Sequence, residues 1–403
     1  MDRSGTFTLG RARFLLYYWG LILAFSVLHG SDFVLWNACL VLVALGAIAS
    51  HISSESRSVP TPVIFHWAAI LLPVFIALQL LPLPLSLIKL LSAERFGMLS
   101  DLRLFGGTPS FAPFSAVPAQ TWDQLLRICA YALTFFAIRP PILRLVKTGD
   151  WTPAYFLVFA AMVQCALGLL QVTYGIDDGV AKGSYFNRNH FAGLMEMAIP
   201  FAVAFSMAKM AGPGDHHSGS IHNAFVATNG LIAAALMLVA VLFSASKSGA
   251  TSSLAGIFIV IAGARLSRLS RRKRIIAGIL LGLALLGVLL LMPDRRVLVD
   301  VGDVIASGTE TDLEGRIPIW RDALRLWTAS PLLGSGAGTF PTVFTRFQTT
   351  SLDTFVVHAH NDYLEFLTDL GLIGAAPFLI ILATAYHGTW KAALRHPSRN
   401  MRH

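Results

Sequence analysis

Charge is scarce in this chain. Only 13% of its 403 residues are Asp, Glu, Lys or Arg, whereas 55% are hydrophobic and the mean hydropathy is +0.64. A water-soluble chain of this length needs a far more polar surface, so a soluble enzyme or binding module is excluded. Cysteine is nearly absent. Cys39, Cys129 and Cys165 each sit inside an apolar stretch, which leaves no disulfide framework and no cysteine pair at zinc spacing. There is no internal repeat and no low-complexity tract. Acidic residues are fewer than basic ones, giving a net charge of +9. The densest basic run, 265–274, lies between two apolar stretches, where it orients a membrane protein and suits anionic lipid head groups. It does not indicate a nucleic-acid partner.

What the chain has in quantity is long apolar runs. Stretches of roughly 18 or more such residues read as membrane-spanning helices. About ten are expected on that criterion, near 14–30, 33–49, 63–81, 123–138, 154–172, 191–209, 223–244, 249–264, 275–292 and 363–386. The fold class is therefore an all-α polytopic membrane protein with a large periplasmic loop containing short amphipathic helices. Lys and Arg are in excess on the side that holds Arg3, Arg139, Lys209, the 265–274 run and Arg399, which puts both termini in the cytoplasm. The expected division is a bundle of nine helices over 1–292, a periplasmic catalytic loop over 293–362, and a last span with a cytoplasmic tail over 363–403.

Three outer segments interrupt the apolar pattern. Residues 82–122, rich in Pro and Gly, read as loop with one short helix. Residues 173–190 run TYGIDDGVAKGSYFNRNH. In the third, Ile317, Trp320, Leu324 and Trp327 recur at helical spacing, predicting an amphipathic helix over 316–329. Ser330-Pro331 ends it, and the turn-rich GSGAGTF follows.

The last loop closes on HAHNDYLEFLTDLGLIG, from His358 to Gly374. It reads as a helix start at the membrane surface, with Asp362 capping and Glu365 completing a capping box. His360 and Asn361 precede that start, where free N–H groups and the helix dipole favour an anion. Arg316, Arg321 and Arg325 upstream supply forked cationic donors. An extended approach is expected to set His358 on the side opposite His360 and to leave it outside the chemistry. Each residue also has a plainer reading. His360 suits an ordinary helix cap equally well, and Asn187 and Asn189 suit a cap or a sugar contact. Arg321 and Arg325 suit a solvated face beside Asp322. Gly334, Gly336 and Gly338 suit a turn better than a phosphate cradle, because no strand precedes them. Glu196, inside an apolar run, is either functional or hydrogen-bonded to a neighbouring helix.

The segment His360, Asn361, Gly371 and Gly374 fits the pattern His-(Asn/Ser/Gln)-nine residues-Gly-two residues-(Gly/Thr/Tyr), and so resembles the O-antigen ligase family together with its related polymerases. GRIPIWRDALRLWTASPLLGSGAGTF (315–340), GSYFNRNHFAGLMEMAIP (183–200) and PFSAVPAQTWDQLL (113–126) are similar to further elements of that family. SASKSGATSS (244–253) departs from it, with Lys247 where the family carries Arg.

The resemblance implies transfer of a glycan from an undecaprenyl-diphosphate carrier to an acceptor hydroxyl. The acceptor is lipid A core, a growing glycan or, in a third branch of the family, a protein side chain; the reaction inverts, and no metal or other cofactor takes part. It assigns His360 as general base and Arg316 as the cation that meets charge developing on the leaving diphosphate. Lys247, Arg188 and Arg321 assist, and Asn361, Asn187 and Asn189 contact substrate. A transporter of a lipid-linked or polyanionic substrate is the alternative; it predicts repeats and paired broken helices, neither of which the sequence displays.

Overall fold

The computed structural model describes residues 41–42, 45–46, 61–101, 106–107, 109–147, 150–210, 217–266, 313–349 and 355–395. The expected spans 14–30 and 275–292, nearly all of 33–49, and the loop residues 293–312 lie outside them. The other seven expected spans are helices. Five are long and apolar enough to cross a membrane: 118–143, 152–173, 188–210, 221–243 and 362–389. The remaining two, 63–79 and 247–263, are apolar but shorter.

The chain divides into two compact units, one holding residues 136–307 and the other holding 55–135 with 308–397. In the first, α5 (Thr152–Thr173), α6 (Arg188–Met210), α7 (His217–Phe243) and α8 (Lys247–Leu266) form a bundle, joined by the later part of α4 (Pro118–Lys147). Helix α6 is its centre: 56% of its span is buried, against 17–33% for the other four spanning helices. Phe191, Met195, Ala198 and Ile199 are enclosed, and small residues let the helices meet closely. A side chain at Gly249 would run into Ala192, and one at Gly256 into Pro200. Glu196 bonds Ser252 of α8, which is the neighbouring-helix alternative for that residue.

The second unit begins with α1 (Val63–Gln79). The Pro-rich stretch that follows is more ordered than the single short helix expected of it. It holds a two-stranded antiparallel pair, β1 (Pro82–Pro84) and β2 (Phe111–Pro113), with α2 (Leu85–Leu91) and α3 (Ala93–Asp101) between them. Proline cannot donate to a ladder, which keeps the strands to three residues each. Arg95 pins the pair by donating from Nε and Nη2 to the Pro113 carbonyl at 3.3 and 3.2 Å.

Helix α9 (Leu313–Ala329) matches the expected amphipathic helix, but its buried stripe differs. Ile319, Ala323 and Leu326 face the core, while Ile317 and Leu324 are about half exposed. Positions 319, 323 and 326 also follow the helical period, and the tertiary partner chose between the two apolar stripes. A one-turn helix, α10 (Phe340–Val343), packs Phe340 and Phe344 against this face. Buried Asp322 ties the next segment down, accepting from the Thr349 N–H at 2.7 Å and from its hydroxyl at 2.9 Å. The last helix, α11 (Asp362–Arg395), is broken at Gly371, with φ 62° and ψ −173°.

Candidate functional site

The motif-bearing turn in the second unit is held from three sides. Glu365, in the first turn of α11, accepts the Ala359 N–H on Oε2 at 2.9 Å and holds His358 Nδ1 from Oε1 at 3.0 Å. Trp320 of α9 donates from Nε1 to the Ala359 carbonyl at 2.9 Å. Asn361 caps α11, its Oδ1 accepting the Leu364 N–H at 3.2 Å. The cap is thus Asn361, and Asp362 is the first helical residue. Glu365 reaches back past the cap instead of closing a box on it. His360 takes a left-handed backbone, φ 51°, unusual for a residue with a side chain.

Ala359 is fully buried between two exposed histidines. Both reach solvent, so burial does not separate His358 from His360 as the expected opposite sides would. In extended backbone the side-chain period is two, so residues i and i+2 share a face. The His358 imidazole is raised above its ordinary value, chiefly by its hydrogen bond to Glu365. Burial opposes this, the charges of Glu365 and Asp362 add to it, and the charge of Arg127 on α4 lowers it.

Arg316 lies one helical turn before Trp320, the residue bonded between the histidines. Its Nε is buried with no hydrogen-bond partner. A desolvated donor in that state is costly until a partner meets it. Arg321 is exposed, and Arg325 pairs with Asp322 at 3.2 Å.

The glycine-rich loop after α9 has no amide to offer a phosphate. Gly334 donates to Ser330 O, Ser335 to Thr368 O and Gly336 to Asp369 O, all at 2.9–3.0 Å. Ala337 donates to Gln79 Oε1 at 3.0 Å, and Gly338 to Asp369 Oδ2 at 2.6 Å. The same loop fills the break in α11: Leu372 and Ile373, freed at Gly371, donate to the carbonyls of Pro331 and Leu332. Gln79, buried at the end of α1, completes the plug by donating to the Leu333 and Asp369 carbonyls. The motif glycines follow from this. A side chain at Gly371 would run into the Leu332 carbonyl, and one at Gly374 into the Phe75 ring. Nothing in the local sequence marks a broken helix here. This one is closed by the chain's own backbone, so it provides no open ion or substrate site of the transporter kind.

In the first unit, two glutamines of α5 clamp the 181–187 segment. Gln171 Oε1 accepts the Lys182 and Gly183 N–H groups, and Gln164 Oε1 accepts that of Ser184. Burial among these contacts pushes the Tyr185 phenol up to about 12. Asn187 Oδ1 accepts the Asn189 N–H at 2.7 Å, which makes Asn187 the cap of α6. Arg188 follows, with its Nε buried and unbonded. Lys247 opens α8 and is exposed. Ala192 packs on Gly249, so the first turns of α6 and α8, and with them Arg188 and Lys247, share one end of this unit.

Sequence reasoning missed Gln79, Gln164, Gln171, Arg127 and the tie from Glu365 to His358. The first four carried a usable signal: each is a polar side chain within or at the end of an apolar run, where an unpaired polar group is costly. Among the described residues no three His, Cys, Asp or Glu side chains gather.

Residues 232–379 match the family model of the O-antigen ligases, so the resemblance holds over the stretch that contains the 244–253, 315–340 and 358–374 elements, while those at 113–126 and 183–200 lie outside it. No curated protein and no solved structure matches the chain.

Proposed function

From that match we propose that the chain is an integral inner-membrane enzyme that transfers a lipid-linked glycan on the periplasmic face, as an O-antigen ligase or a repeat-unit polymerase. The clamped 358–361 turn carries the reading, because it presents His360 at the start of a long membrane helix with Arg316 one helical turn from its anchor Trp320. The donor is an undecaprenyl-diphosphate-linked glycan. The acceptor is a hydroxyl of lipid A core or of the growing chain.

In the proposed step the acceptor oxygen attacks the anomeric carbon while His360 takes its proton. The bond from that carbon to the phosphate oxygen breaks, and undecaprenyl diphosphate leaves with the electron pair. Arg316 stabilises the charge growing on it, with Arg321 as a further cation and no metal. Attack opposite the leaving group inverts the anomeric centre. Asn361, Asn187 and Asn189 are assigned to substrate contact, in addition to the caps that Asn361 and Asn187 form.

The test is the surface glycan of a deletion strain resolved on a gel. Loss of the whole ladder from lipid A core marks a ligase, and products one unit long mark a polymerase. A normal ladder would overturn both.

A further inference from the structure

Glu365 is engaged in a way that the transfer reading leaves unused. Its two carboxylate oxygens hold two consecutive residues, the His358 imidazole and the Ala359 amide, both at about hydrogen-bond optimum. Trp320 holds the carbonyl of the same Ala359, and the Ala359 side chain is sealed in the core. The next residue is His360, in a left-handed conformation that ordinary backbone does not keep unless its neighbours impose it. The backbone that carries His360 is therefore set by the carboxylate of Glu365, the indole of Trp320 and the cap Asn361.

We propose that Glu365 is a positioning residue for His360, acting through the His358–Ala359 turn, and that its grip tightens when His358 is protonated. This rests on His360 being the base of the transfer reaction. Glu365 touches neither donor nor acceptor in this assignment. It supplies the shape in which His360 reaches the acceptor hydroxyl. His358 is thereby part of the machinery and not a bystander, contrary to the sequence expectation.

The charges around His358 set the sign. Glu365 and Asp362 on α11 favour the imidazolium, and Arg127 on α4 opposes it, with a net shift upward. The ion pair is therefore complete at low pH and is lost as pH rises through the raised value. His360 needs the opposite, since a base must be neutral to accept a proton. The wild-type rate should fall on the alkaline side as the His358–Glu365 pair dissolves, so that limb of the pH profile belongs to the pair.

The experiment measures transfer by the purified full-length protein, using undecaprenyl-diphosphate-linked glycan extracted from the source membranes and lipid A core as acceptor. Glu365→Ala should lower kcat about a hundredfold with KM for the donor little changed, the scale expected of an ångström-level misplacement. Glu365→Gln should recover much of the rate, since the amide oxygen still accepts the Ala359 N–H. Its NH2 donates to a neutral His358, so the alkaline limb should vanish. His358→Asn should remove the same limb. A folded Glu365→Ala protein with the wild-type kcat and an unchanged alkaline limb would overturn the proposal. His360→Ala keeps the two readings apart. If that variant is inactive while Glu365→Ala is normal, only the positioning role fails. If His360→Ala is active, the base assignment fails whatever Glu365 does.

Discussion

Two neighbouring stretches of the second unit, 334–339 and 358–361, carry the family motifs and are built in opposite ways. In the first, the backbone amides are turned inward and bonded within the loop, to the broken helix or to Gln79. In the second, the backbone is held by Glu365, Trp320 and Asn361 while the histidine side chains face out. The contrast separates scaffold from chemistry. A stretch whose polar groups are all satisfied internally has nothing left for a ligand, whereas one with its backbone fixed and its titratable groups exposed is pre-organised to act.

The largest expected effect lies in the exposed stretch. His360→Ala should cut transfer on the order of a hundred- to ten-thousand-fold, enough to erase a ladder on a gel, with the protein inserted and abundant. Wild-type product from that variant would dissolve the distinction. Arg316→Lys should also be severe, because a point charge does not replace a two-pronged grip on a diphosphate.

The inward stretch should respond in stability instead. Gly371→Ala forces a side chain into a left-handed position already occupied by the Leu332 carbonyl. It should cost about 3 kcal/mol, combining backbone strain with overpacking. A thermal midpoint in detergent equal to wild type would show that the break in α11 is not the constraint described. Gln79→Leu leaves the Ala337 N–H and the Leu333 carbonyl unpaired, for a loss of about 2 kcal/mol. The same midpoint measurement checks it. The smallest effect is expected in the first unit, where Asn187→Ala removes the cap of α6 at about 1 kcal/mol and Asn187→Ser restores it. If the serine variant is as unstable as the alanine one, capping is not what Asn187 contributes.

Much of the site is legible in the amino-acid order alone. His360, Asn361, Gly371 and Gly374 stand at motif spacing, and Arg316 sits in the first turn of a helix, where the dipole gives a cation no reason to be. What is not legible is how the remaining residues pair. Gln79 meets Leu333 across 254 positions of chain and Asp369 across 290. No local pattern encodes a partner that distant. One histidine satisfies the motif, so the pattern gives His358 no role, and the carboxylate that holds it lies seven residues on, beyond the helix cap.

By itself the sequence determined what depends on neighbours along the chain: the seven described helical spans, the amphipathic helix of α9, the turn that ends it, and the start of the last helix to within one residue. These follow from hydropathy and periodicity, which are local properties. Tertiary structure decided which apolar stripe of α9 is buried, where α11 breaks, and what fills the break. It also decided that Glu365 orients His358 when a capping box was the local alternative. Local preference left two acceptable answers in each case, and packing against distant segments selected one by burying apolar surface and pairing most of the polar groups that surface enclosed.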